Sequence, residues 1–263
     1  MADIPVPADT ARSFRTGVRQ CRNFGLLFDR FVAYGAGWVM EGSQKSDMAK
    51  QLVEDVNSWQ SDRDYRELFA AIEQRQRQMI VGQNGRVFTA QPEWRFVVGL
   101  GRDSAFETGL TLHRIYGCPT IPGSALKGMT LAWVKAIQEQ ENILPEDILA
   151  VFGSDDSDKP QSGSVVFFDA LPITPPELEL DMMNPHYPDY YRPGLEAYPT
   201  DWQSPVPVYF ITISAQTKFL FGVGSRNGSN QHIDMAYSWL QDALSNAGVG
   251  GKTTSGYGYW LVP

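Results

Sequence analysis

The chain has 263 residues, 43% of them hydrophobic and 12% aromatic, with a formal net charge of −8. This composition supports a large buried core and excludes a disordered chain, and the apolar runs are too short to span a membrane. Cys21 and Cys118 have no metal-binding spacing and read as reduced thiols. The start, Met-Ala-Asp-Ile-Pro-Val-Pro, lacks the basic-then-apolar pattern of a signal peptide, so a cytoplasmic protein is expected. Charge is unevenly spread. Residues 145–201 carry twelve acidic side chains against Lys159 and Arg192, whereas residues 11–30 carry five arginines and one aspartate. A negative total therefore does not exclude a polyanionic partner on a basic face.

In chain order, residues 1–10 read as an extended tail and 12–34 as a basic, partly helical segment. Met48, Leu52, Val53, Val56 and Trp59 then form one helical stripe. Tyr65, Leu68, Phe69, Ile72, Gln76, Met79 and Ile80 form a second. Both are core faces without chemistry. After a turn at 81–85 the pattern predicts a strand over 93–99, a loop over 101–106 and a short strand over 110–115. Pro122 and Gly123 stop that segment, and Ser124 is placed to cap a helix over 124–140. Its buried face is marked by Leu126, Met129, Trp133 and Ile137. Further strands are predicted over 164–171, 206–214, 217–224 and 257–262, with a short turn joining the middle two. Ile233, Tyr237, Leu240, Ala243, Leu244 and Ala247 mark one more helix before the last strand. Residues 172–207 are dense in proline, aspartate and tyrosine and read as a long functional or docking loop.

Without insertions the order is strand, helix, strands, helix, strand. This is an α+β fold of the ferredoxin-like (RRM-type) βαββαβ kind. The expected form is a sheet with helices on one face, extra strands and an inserted N-terminal helical lobe. The basic segment and lobe occupy 1–85. An RRM-like domain occupies 86–263, with the proline-rich insertion near 172–207.

Two stretches have unusual chemistry. At the start of the 124–140 helix, Lys127 puts a cation where the helix dipole is positive, and Gly128 gives up about 1 kcal/mol of helix propensity. A phosphate resting on the amides of Gly123 and Ser124 explains both; a snorkelling lysine and a close-packed glycine explain them equally well. The second stretch is glycine-rich, 248–258. Its Gly251-Lys252-Thr253 resembles the end of a Walker A loop, but Asn246 stands where that motif needs glycine. The loop also follows a helix and enters a strand, so ATP or GTP hydrolysis is not expected. Its amides, lysine and hydroxyls still suit a phosphate, the alternative being a flexible turn.

His113, His186 and His232 are the possible acid–base groups. His186 lies among tyrosines and is the candidate base of a metal-free ribonuclease, or else a packed loop residue at a subunit contact. His113 reads as a packing or backbone-contact residue and His232 as an exposed helix start. No spacing marks a metal site, and no cofactor is expected. Asp155-Asp156-x-Asp158 reads as a solvated acidic loop, with divalent-ion binding as the alternative.

The motif Gly117-x-Pro119-x-Ile121-Pro122-Gly123-Ser124-x-Leu126-Lys127-Gly128, taken with Gly248-x-Gly250-Gly251-Lys252-Thr253-x-x-Gly256-Tyr257-Gly258, resembles the RAMP superfamily of CRISPR-associated proteins. Asn23-x-Gly25-Leu26-Leu27, Asn184 to Tyr191 and Pro205-x-Pro207-Val208-x-Phe210 extend the resemblance to the family of sixth subunits of the type III-B Cmr effector complex. It spans Asn23 to Trp260.

The resemblance implies RRM-type folds assembled side by side on a guide RNA, whose backbone is held by the helix motif and the glycine-rich loop. It implies a non-catalytic, RNA-binding structural subunit of an antiviral effector, lying toward the guide's 3′ end. The partners would be guide (crRNA) RNA and other Cmr-type RAMP subunits, with no membrane. The motif positions that map to RNA contact are Gly123, Ser124, Lys127, Gly250, Gly251, Lys252, Thr253, Thr254, Gly256 and Tyr257, the last by ring stacking. The alternative is an endoribonuclease that processes guide RNA or cuts target RNA through His186. A third reading is a scaffold that docks neighbours through the acidic 145–201 region. One departure stands out: many relatives carry Lys-Gly-x-x-Arg, and here that position is Leu131. The arginine contact is either missing here or supplied by another residue, such as Arg114 or Arg102.

Overall fold

The computed structural model describes residues 20–34, 42–154, 160–184, 207–227 and 229–263, with single positions 6, 40, 187, 190, 194 and 198. Helix α1 (Phe24–Asp29) begins at Asn23, whose Oδ1 accepts from Leu26 N at 3.0 Å while its Nδ2 donates to Ile115 O. Phe24 and Phe28 point from α1 into the core. Helices α2 (Gly42–Ser58) and α3 (Arg63–Val81) follow the two predicted stripes. Asp62 caps α3 on Tyr65 N, and Trp59, Tyr65 and Phe69 meet edge to face. Met79, counted in the second stripe, is exposed.

The first strand is β1 (Arg86–Pro92), where Phe88, Ala90 and Pro92 alternate inward. Proline is tolerated there because it ends the strand. Residues 93–99 are not the predicted strand. Phe96, Val97 and Val98 are buried in succession without alternating, and the segment makes one strand-like bridge, from Phe96 to Ile213, while the carbonyls of Arg95, Val97 and Val98 accept from loops. Residues 110–115 are also not a strand. They form a bridge from Leu112 to Pro119 and a turn closed by Gly117 N on His113 O at 2.8 Å.

Strands β4 (Val165–Phe167), β5 (Leu171–Pro172), β8 (Phe219–Ser225) and β9 (Trp260–Leu261) join β1 in an antiparallel sheet. Its order is β4–β8–β1–β9, with β5 also on β8. Helix α4 (Gly123–Ile137) comes between β1 and β4, and helix α6 (Asn230–Asn246) between β8 and β9. The sheet is covered on both faces, not on one. Phe88 and Phe221 stack at 5.3 Å beneath Tyr237 of α6. Gly222 points the other way, where a Cβ would lie 2.6 Å from Ile80 Cδ1 of α3, so its bareness admits that helix.

Helix α5 (Pro145–Phe152) leads into a small hairpin, β2 (Gly153–Ser154) with β3 (Gln161–Ser162). A longer hairpin pairs β6 (Leu178–Met183) with β7 (Val208–Ile213). The 172–207 stretch is therefore not all loop, and β7 pairs with β6 instead of β8. Asn57 of α2 clamps the hairpin by exchanging hydrogen bonds with both Leu178 N and Leu178 O. One continuous core joins Phe24 and Phe69 to Phe219, Phe221 and Trp260. Among the described residues no helix is long and apolar enough to cross a membrane.

Candidate nucleic-acid interface

Helix α4 is capped from a distance. Asp169 Oδ1, just beyond β4, accepts from Gly123 N at 2.7 Å, while Ser124 is exposed and makes no capping bond. The buried face is Gly123, Leu126, Thr130 and Val134, turned slightly from the predicted stripe. Thr130 tolerates full burial because its hydroxyl donates to Leu126 O at 2.8 Å. Met129 and Trp133 flank that face, and Trp133 Nε1 donates to Asp242 Oδ2 of α6 at 2.5 Å.

Ser124 and Lys127 open onto a cleft of about 490 Å³ closed by Phe152, the β2–β3 hairpin, β4 and Arg226. Two cations thus face one polar cleft at a helix N-terminus, an arrangement suited to an anion. Sequence reasoning missed Arg226. It follows β8 directly and is fixed by its backbone N on Ser164 O at 2.8 Å, a placement set by strand pairing that no local spacing announces. Leu131 instead packs against the core, while Arg102 and Arg114 sit exposed on turns outside this cleft.

Gly128 is exposed, and a Cβ there would meet nothing within 4 Å. Packing therefore does not require glycine. Gly128→Ala is expected to raise stability by about 0.5–1 kcal/mol in thermal melts. If a phosphate approaches the backbone there, the same change lowers affinity for single-stranded RNA. A stabilised variant with unchanged RNA affinity would leave the glycine without a role in binding.

The glycine-rich loop lies toward the opposite end of the sheet, beside β9. It is held by Val249 N on Gly258 O, Gly251 N on Val97 O and Gly258 N on Arg95 O, at 2.8–3.0 Å. Gly250 and Gly258 have φ of +103° and +75°, and Cβ atoms there would lie 2.3 Å and 2.1 Å from carbonyl oxygens. Glycine is required at both. The tip, Thr254 to Gly256, is exposed, and the Gly250 and Lys252 amides have no backbone acceptor among the described residues. Lys252 takes a left-handed backbone, with its ammonium 5.4 Å from the centre of the Phe210 ring. Thr253 and Thr254 form a short 3-10 turn after it.

Tyr257 does not present a stacking face. It is buried between Trp94 and Phe210, and its hydroxyl donates to Asp181 Oδ2 at 2.5 Å. The exposed aromatic beside it is Trp94, with the Arg95 guanidinium 5.1 Å from its centre. Arg95 also pairs with Glu179 at 2.6 Å and with Asp181, tying the loop to β6. Burial and the Asp181 carboxylate push the Tyr257 hydroxyl up to about 12. The neutral phenol is the form the fold holds. This contact therefore stabilises fully below pH 10 and is lost as pH rises through 12. Alkaline titration followed by phenolate absorbance should show Tyr65 and Tyr257 ionising late, because burial raises Tyr65 as well, and Tyr257→Phe should remove the earlier of the two steps.

His113 Nδ1 accepts from the backbone N–H groups of Ile115 and Tyr116 at 3.2 Å, which leaves its proton on Nε2. Desolvation lowers its pKa against the pull of Asp169, so the ring is neutral near pH 7. His232 is half-buried, with Nδ1 3.2 Å from Ser164 Oγ. His186, Asp155, Asp156 and Asp158 lie outside the described residues. Among the described residues no cluster of three or more His, Cys, Asp or Glu is placed to hold a metal ion. Cys21 and Cys118 are both free, and burial pushes the Cys118 thiol up to about 12.

Residues 85–261 match the RAMP superfamily, and the chain belongs to it. It is a homologue of the CRISPR system Cmr subunit Cmr6 of Pyrococcus furiosus, with 34% identity over 219 residues. That match covers 62% of this chain, and the chain spans 64% of that relative's length. The crystal structure of Cmr6 from Pyrococcus furiosus aligns at 32% identity over 68% of this chain and 97% of that one, with a TM-score of 0.45. A chain in the cryo-EM structure of the type III-B Cmr-beta complex bound to cognate target RNA shares the fold. It aligns at 17% identity over 86% of this chain and 77% of that one, with a TM-score of 0.57.

Proposed function

We propose that this chain is a non-catalytic, RNA-binding structural subunit of a type III-B CRISPR effector, holding guide RNA toward its 3′ end beside other RAMP subunits. The observation that carries the reading is the cleft in which Lys127 and Arg226 face the N-terminus of α4. Lys127 and Arg226, which have no ion-pair partner among the described residues, suit a sugar-phosphate backbone without reading sequence. The glycine-rich loop supplies a second contact of the same kind through Gly250, Lys252, Thr253 and Thr254. Homology to Cmr6 supports the setting. The sheet belongs to the ferredoxin-like class on this reading, since the order β9–β1–β8–β4 with α4 and α6 as crossovers matches a split βαβ pair. On this reading the 1–85 segment carries a helical lobe beside the RAMP domain of 86–263.

The test is to incubate the full chain, alone and in its reconstituted effector, with labelled single-stranded RNA, with and without Mg²⁺. The expected result is retained, uncut RNA in both. Cleavage that disappears with His186→Ala would replace this reading with the ribonuclease.

A further inference from the structure

We propose that the cleft between α3 and the β4–β5 segment is a pocket for an unpaired guanine base. Its volume is about 400 Å³, and it shares Phe167 as a wall with the Lys127–Arg226 cleft. The two recesses thus lie side by side, and Asp169, which caps α4 next to the first, also lines the second.

The polar groups of this pocket are Arg75, Gln76, His113 and Asp169. Arg75 has no ion-pair partner among the described residues; its guanidinium lies 5.4 Å from the centre of the Tyr116 ring. Tyr116 is itself stacked on His113 at 4.4 Å. Gln76 is only 7% exposed, and its Nε2 donates to Asp169 O at 2.5 Å. Its carbonyl Oε1 is buried with no partner among the described residues, an unfavourable state that a ligand N–H would relieve. Half-buried Phe168 and exposed Met79 offer apolar faces for a flat ring.

A phosphate suits this pocket poorly, because the Asp169 carboxylate lines it together with the cation. A guanine suits it on both edges. Its N1–H and N2–H groups donate to a carboxylate or amide oxygen, and its O6 and N7 accept from an arginine fork. Asp169 keeps acceptor capacity beyond its one bond to Gly123. Adenine offers no adjacent pair of donors for the carboxylate. The base comes either from an RNA strand held in the adjoining cleft, which rests on the RNA-binding reading above, or from a free guanine nucleotide.

Titration of the full chain with guanosine 5′-monophosphate and adenosine 5′-monophosphate, followed by saturation-transfer NMR, separates these sources when paired with RNA binding. The RNA arm compares an all-uridine strand with one containing guanosine. A guanine preference of about tenfold is expected in at least one arm. Arg75→Ala and Gln76→Leu should each abolish it. Preference for the free nucleotide alone assigns the pocket to that ligand, and preference in the strand alone assigns it to RNA. If guanine is preferred but no RNA binds at any salt, the pocket stands and the RNA-binding reading falls. No preference in either arm overturns the proposal, as does a preference that survives both pocket substitutions.

Discussion

Replacing Gly123 by alanine is expected to destabilise the protein by about 2–3 kcal/mol and to lower its melting temperature by about 5–10 °C. The added Cβ would lie 2.1 Å from Phe167 O, 2.9 Å from Phe167 C and 3.1 Å from Phe168 C. All three are backbone atoms, and none can rotate aside. The start of α4 would have to move off β4, breaking the 2.7 Å bond from Gly123 N to Asp169 and widening the cleft beneath Lys127. The same substitution at Gly128, one turn along, meets open space and is expected to act in the opposite direction. Thermal melts of the two variants, measured together, check the contrast. Equal melting temperatures for Gly123→Ala and the parent chain would mean that the helix does not seat on β4 as described.

Trp260→Ala is expected to cost about 3–5 kcal/mol, read as a lower urea midpoint. Its ring meets Phe96 at 5.2 Å, Phe219 at 5.3 Å and Phe221 at 4.9 Å, so it anchors a two-residue strand in the aromatic core. Losing it should release β9 and with it the glycine-rich loop, giving faster proteolysis over 248–258. Trp260 Nε1 is buried without a hydrogen-bond partner among the described residues. Trp260→Phe should therefore cost much less than alanine, since it keeps an aromatic ring and removes an unsatisfied donor. If phenylalanine proved as damaging as alanine, the exact shape of the indole would matter more than its burial.

Helices were legible from sequence wherever one face was buried and the other wet. Helices α2, α3, α4 and α6 follow their stripes, with α4 turned because Thr130 satisfies its hydroxyl on its own helix and can go inside. Strands were harder to read. Phe96 to Val98 looked like a strand because it is apolar, yet it is buried on all sides and pairs at one point. Residues 86–92 alternate correctly but end in proline, which hid β1. The partner of β7, β6, lies across a long connection, so no local signal marked it.

At the candidate site, Gly123, Ser124 and Lys127 were legible because their oddities are local. Arg226 and the Asp169 cap were not, since each reaches the cleft only through strand pairing and chain crossing. Tyr257 misled because an aromatic in a glycine-rich loop looks available, whereas its hydroxyl is committed to Asp181.

The most direct test of the RNA-binding account is the salt dependence of single-stranded RNA binding by the full chain, measured for the parent and for Lys127→Ala/Arg226→Ala. Each phosphate contact contributes about −0.7 to the slope of log affinity against log salt, so removing two should flatten it by about 1.4. Weaker binding with that flatter slope is the expected result. An unchanged slope and affinity would mean that the RNA backbone does not run through the cleft at the N-terminus of α4.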